Sequence, residues 1–166
     1  MKRLAVIDGM SVFYRGYYAM PNLALPDGTP TGGVFGFTSI AIEIIKKLKP
    51  DYVAIAWDIR GTSAATRLEI FDGYKAGRTK PPEDFYAQLP ILKEVLGAFN
   101  WPLYELDRYE ADDIMGTFAV EAKEKGIEMC IITGDYDMLQ LVNDNTSVYI
   151  TKTGSTDLVQ YDDAAF

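Results

Sequence analysis

Five short apolar runs recur along the chain: RLAVI (3–7), YVAIAW (52–57), PLYEL (102–106), MCIIT (129–133) and SVYI (147–150). Each is the length of a strand buried on both faces. Between them lie stretches whose apolar residues fall every three to four positions. A helix is expected just after Asp8, carrying Arg15. GVFGFTSIAIEIIKKLK (33–49) ends on lysines, PEDFYAQLPILKEVLGAF (82–99) opens on Pro and acids, and EADDIMGTFAVEAKEKG (110–126) begins acidic and ends on Gly126. These are the charge and terminal preferences of helices. Strands alternating with helices of this length predict an α/β domain over 1–166, a parallel sheet with helices on both faces. The closing YDDAAF reads as another helix start.

Residues 60–82 do not fit the alternation. They carry three glycines (61, 73, 77), two prolines (81, 82) and five basic residues, with little apolar periodicity. A long, mobile surface excursion is expected there, a feature more often functional than decorative in a compact domain.

Composition narrows the chemistry. The chain has 166 residues and no histidine, which excludes His-based triads, His general bases and His-built zinc sites. Its single cysteine, Cys130, cannot form an internal disulfide and reads as a buried strand residue. No run approaches a spanning helix, and the N-terminus is too short for a signal-peptide core, so a cytoplasmic protein is expected. The net charge of -8 is unlike a nucleic-acid binder. Its distribution is another matter. Residues 59–80 hold Arg60, Arg67, Lys75, Arg78 and Lys80 against Glu69 and Asp72, while 105–113 hold five acids against Arg108.

The acids fall in a pattern. Ligands of an open parallel sheet bind beyond the carboxyl ends of its strands. Asp8 follows the first strand and Asp58 the second. Glu110, Asp112 and Asp113 begin the helix after the third, and Asp135 and Asp137 lie just past the fourth. Singly, Asp8 and Asp135 read as helix caps, Asp58 as a loop acid, and the YEADD acids as partners of a helix dipole. Together they would raise one another's pKa in one cleft, which calls for a neutralising cation. No basic residue is interleaved in these motifs, and an all-oxygen donor set suits Mg²⁺ or Mn²⁺. Several carboxylates sharing a site suggest two ions about 3.5–4 Å apart acting on a phosphodiester, with the basic excursion holding the phosphate backbone.

VIDGMSVFYRGYYA, GYKAGRTKPPEDF, YEADDIMG and IITGDYDMLQLV, in that order, closely resemble the 5′–3′ exonuclease domains of the flap endonuclease family, as found in bacterial DNA polymerases I. The resemblance runs from about Leu4 to the end of the chain. It implies a PIN-like (resolvase-like) fold and a metal-dependent nuclease acting on branched or 5′-ended DNA. The metal ligands it implies are Asp8, Asp58, Glu110, Asp112 and Asp113, mainly for one ion, and Asp135 and Asp137 for the other. Lys75 and Arg78 would reach the scissile phosphate from a flexible helical arch, with Tyr74 beside them. Arg67 and Arg15 would be further DNA contacts. The family continues into a helix–three-turn–helix region, often with a potassium ion, whose further acids serve the second metal. A polymerase domain can follow. The 166 residues stop short of that region, and Asp162 and Asp163 match a helix start rather than ligands. RGTSAATRLEIFDGYK departs from the usual start of the arch, which bears on Arg67.

Two other readings use the same acids: a catalytically weak DNA-binding module with an incomplete second metal site, and a PIN-type ribonuclease without an arch. A haloacid-dehalogenase phosphatase wants Asp-x-Asp where this chain has DGMS. A dinucleotide site wants Gly-x-Gly-x-x-Gly after the first strand, and TGGVFGF (31–37) follows no strand.

Overall fold

The computed structural model describes residues 1–152 and 158–165. Strands β1 (Arg3–Asp8), β2 (Tyr52–Trp57), β3 (Leu103–Glu105), β4 (Glu128–Thr133), β5 (Thr146–Thr151) and β6 (Leu158–Tyr161) form one sheet in the order β3-β2-β1-β4-β5-β6. The first five are parallel, as expected. β6 is a correction: it runs antiparallel to β5, pairing Val148 with Tyr161 and Thr151 with Leu158. Its four residues, LVQY, are too few for a periodic signal.

Alternate strand residues face opposite layers. Ala5, Ile7, Ile55, Trp57, Cys130 and Ile132 pack under α1 (Gly9–Ala19), α2 (Gly32–Leu48), α4 (Glu83–Ala87) and α5 (Leu89–Ala98). Val6, Ala54, Ala56, Met129, Ile131, Val148 and Ile150 face α6 (Ala111–Glu124) and the 3₁₀ turn Tyr136–Leu141. Helices thus cover both faces. β1 pairs with both β2 and β4, and the winding reverses between β1 and β4, which makes the crevice beyond their carboxyl ends the topological switch point.

The helix expected over 82–99 breaks at Gln88. Pro90 supplies no N–H and its ring would meet the carbonyl of Tyr86 one turn back, so the chain restarts as α5. The buried Gln88 side chain then has another use. Its Oε1 accepts from Gly33 N (2.8 Å) and Val34 N (3.3 Å), satisfying orphan donors of α2. The glycines of TGGVFGF are packing residues. α1 crosses α2 so closely that a Cβ on Gly36 would lie 2.4 Å from Gly16 Cα, with backbone on both sides. Gly36→Ala is therefore expected to lower stability by roughly 2–3 kcal/mol, read as a shift in the urea midpoint.

Residues 60–82, expected as a long surface excursion, hold a short helix, α3 (Ala65–Ile70), and a series of turns. α3 is docked: Thr66 N donates to Arg108 O (3.2 Å), and Arg108 pairs with Glu69. Among the described residues no helix is long and apolar enough to cross a membrane.

Candidate metal and phosphate cleft

A cleft of about 1060 Å³ opens at the switch point. Asp8, Asp58, Glu110, Asp112, Asp135 and Asp137 line it, so six of the seven acids expected as ligands share one cleft. Their positions follow from local structure. Asp8 ends β1 and caps α1, accepting from Ser11 N (3.4 Å). Asp58 follows β2 and reaches across to accept from Ala111 N (2.6 Å), satisfying a donor of the first turn of α6. Asp135 follows β4 and accepts from Asp137 N (2.8 Å). The caps that each acid suggested singly are real, and they aim the carboxylates at the cleft.

Two hydroxyls, one fully buried and one partly, tie the ends of β1 and β4 together. Thr133, fully buried at the end of β4, donates from Oγ1 to Asp8 Oδ2 (2.7 Å) and accepts from Asp135 N (3.0 Å). Ser11 Oγ accepts from Gly134 N (2.8 Å). Neither was singled out in the sequence; the cue was their place beside the acids, Ser11 three residues after Asp8 and Thr133 just before the GD pair. Thr133→Val is expected to lower metal-dependent turnover roughly 10- to 100-fold, since groups that orient metal-binding carboxylates carry about that effect. Thr133→Ser, which keeps the hydroxyl, is expected to restore most of it in the same steady-state assay.

Burial and mutual repulsion shift these acids. Asp8 is pushed up to about 7, first by desolvation and then by the charges of Asp112 and Asp58, against the bond from Thr133. Asp112 rises to about 6, through desolvation and then Asp135, Glu110 and Asp58. Asp58 is also raised, mainly by burial. Among the described residues no group of three or more acids or cysteines is gathered closely enough to enclose an ion. Two of the acids, Glu110 and Asp113, lean on cations.

Those cations come from the 60–82 segment, the basic excursion expected beside the acids. Lys75 Nζ lies 2.8 Å from Glu110 Oε1. Arg67 grips Asp113 through two bonds (2.8 and 3.1 Å) and lies 3.6 Å from Glu110 Oε2. Asp113 also accepts from Glu110 N (3.0 Å). Asp113 is the expected ligand that does not line the cleft, and Arg67, expected on DNA, is turned toward it. Tyr74, Lys75 and Arg78 line the same cleft, together with Tyr14, Tyr18 and Lys80. Arg15 lines it as well. Its Nε and Nη1 are buried without a hydrogen-bond partner among the described residues, and burial lowers its pKa. Buried donors of a guanidinium without acceptors are costly, and an anion in the cleft would satisfy them.

Six carboxylates and four cationic side chains in one cleft define a class: a resolvase-like α/β domain with an acidic cleft at its switch point. The donors are hard oxygens whose pKa burial raises first and neighbouring charge second, which fits a hard divalent ion such as Mg²⁺ or Mn²⁺. The chain belongs to the 5′–3′ exonuclease family, matching the model of its N-terminal, resolvase-like domain over residues 3–166. It is 42% identical over 160 residues to DNA polymerase I of Bacillus caldotenax and 40% identical over 151 residues to that of Caldicellulosiruptor bescii. These alignments cover 96% and 91% of the chain and 18% of each polymerase. The chain thus spans about a fifth of the length of these relatives. Among solved structures, the T5 D15 protein co-crystallised with metal ions superposes with a TM-score of 0.75 at 19% identity. It aligns with 97% of this chain and 58% of the other. A pseudo-enzyme-product complex of the bacteriophage T5 D15 flap endonuclease with DNA and metal ions gives 0.72 at 20% identity, over the same shares of the two chains. At these identities the likeness is one of fold.

Proposed function

We propose that this domain is a divalent-metal-dependent 5′–3′ exonuclease and flap endonuclease that hydrolyses phosphodiesters of branched or 5′-ended DNA in replication and repair. The observation that carries the reading is the convergence of six carboxylates from four strand ends in one cleft with Arg15, Lys75 and Arg78. Asp8, Asp58, Glu110 and Asp112 would hold one ion, and Asp135 and Asp137 would contribute to a second. Bound there, such ions supply Lewis-acid activation of water and of the phosphodiester.

The chain's own residues do the rest. Arg15 offers buried guanidinium donors to a phosphate oxygen, where the low dielectric strengthens the contact. Lys75 and Arg78 line the same cleft as the acids and would stabilise charge that grows on the phosphate in the transition state. Thr133 and Ser11 keep Asp8 in register with Asp135. An acidic protein can hold DNA in this way because its phosphate contacts are local. In a longer protein, a helix–three-turn–helix region and a polymerase domain would follow, as the share of the polymerases that is matched supports.

The test compares 5′-flapped DNA with single-stranded RNA under Mg²⁺, Mn²⁺ and chelator. Flap cleavage that needs the ion and exceeds RNA cleavage is expected. Preferred RNA cleavage would make the domain a PIN-type ribonuclease, and flap binding without turnover would make it a binding module.

A further inference from the structure

Lys75 is held in an unusual way. Its backbone is left-handed, φ 58°, a conformation that residues with a Cβ rarely adopt. Its ammonium lies 2.8 Å from Glu110 Oε1, and the Glu110 side chain is only 4% exposed, so the contact is poorly screened. Apart from Tyr74, whose side chain lies beside Arg67, Lys75 and Glu110, little else holds this stretch. Residues 71–73 and 76–80 are all exposed, and the turns Tyr74 N to Phe71 O and Arg78 N to Lys75 O are local. The first half of the segment is anchored independently, through Arg67 on Asp113 and Thr66 on Arg108.

The cation that fastens the turn therefore sits on an oxygen that the proposed function gives to a divalent ion. Resting on that reading, we propose that Lys75 is a metal-responsive latch: its ammonium and the ion compete for Glu110, and ion binding frees Lys75 and the turn at 71–80. Two cations on one carboxylate oxygen stand within about 4 Å and repel, so occupancy by one weakens the other. Releasing Lys75 also relieves its left-handed backbone. Arg67 stays in place because its main partner, Asp113, lies outside the cleft. The order of events follows: the ion binds first, and Lys75 then becomes available to the phosphate.

Linkage makes the coupling reciprocal, so it is readable without catalysis. Mn²⁺ is titrated calorimetrically into the wild-type protein, Lys75→Met and Lys75→Arg, and tryptic cleavage after Arg78 is timed with and without Mn²⁺. Lys75→Met is expected to bind the first ion roughly five- to tenfold more tightly. Saturating Mn²⁺ is expected to speed cleavage after Arg78 in the wild type, while Lys75→Met is cleaved rapidly under both conditions. Lys75→Arg, which keeps the charge, is expected to behave as the wild type. Equal Mn²⁺ affinities, or cleavage that Mn²⁺ slows or leaves unchanged, would overturn the latch alone. Absence of any Mn²⁺ binding to the wild type would overturn both the latch and the metal reading.

Discussion

Asp112→Asn is expected to reduce Mg²⁺-dependent cleavage of a 5′-flapped DNA by about a thousandfold or more, while the protein stays folded. Asp112 stands in the first turn of α6, where the dipole favours a negative charge. Yet desolvation, then Asp135, Glu110 and Asp58, push it up to about 6. A carboxylate kept where its neighbours oppose its charge is held for chemistry rather than stability. Asparagine keeps the shape and removes the charge, so the urea midpoint is expected to hold or rise. Loss of one group that acts only on the transition state carries losses of about a hundred- to a thousandfold, and loss of metal affinity adds to that. Single-turnover kinetics at saturating enzyme separate the two contributions. Wild-type turnover by this variant would remove Asp112 from the mechanism.

The second large effect is a trade of stability against function at Asp8. Its folded pKa is about 7 against an ordinary 3.8, and desolvation is the main cause. The sign is that of an acid raised on folding. Between about pH 4 and 7 the folded state retains a proton that the unfolded chain has lost, so stability falls as pH rises through that window and levels off above it. The shift corresponds to a loss on the order of 4 kcal/mol in chelator. Asp8→Asn removes the ionisation and can still accept from Ser11 N. It is expected to be the more stable protein at pH 8, to match the wild type near pH 4, and to be inactive. A divalent ion is expected to restore wild-type stability at pH 8 and to do little for the variant. Urea unfolding at both pH values, with and without Mg²⁺, checks all four corners.

Much of this was legible in the sequence because the signals were local. The runs 3–7, 52–57 and 129–133 are strands within a residue, since continuous apolar stretches bounded by acids leave little alternative. The acids at the four strand ends share a cleft because parallel topology puts those ends on one edge. What stayed hidden depended on contacts distant in sequence. Thr133 is unremarkable until β4 lies beside β1, when one hydroxyl meets both Asp8 and Asp135. Arg67 and Asp113, 46 residues apart, could not be matched from spacing, and as a pair they stand outside the lining of the cleft. The break at Gln88 was visible in Pro90, but its use in capping α2 was not.

Whether four strand ends build one divalent-metal site is tested most directly by crystals soaked in Mn²⁺ and measured at its absorption edge. Anomalous density is expected among Asp8, Asp58, Glu110 and Asp112, with any second ion toward Asp135 and Asp137. Density elsewhere on the surface, or none in the cleft at saturating Mn²⁺, would contradict a shared metal site.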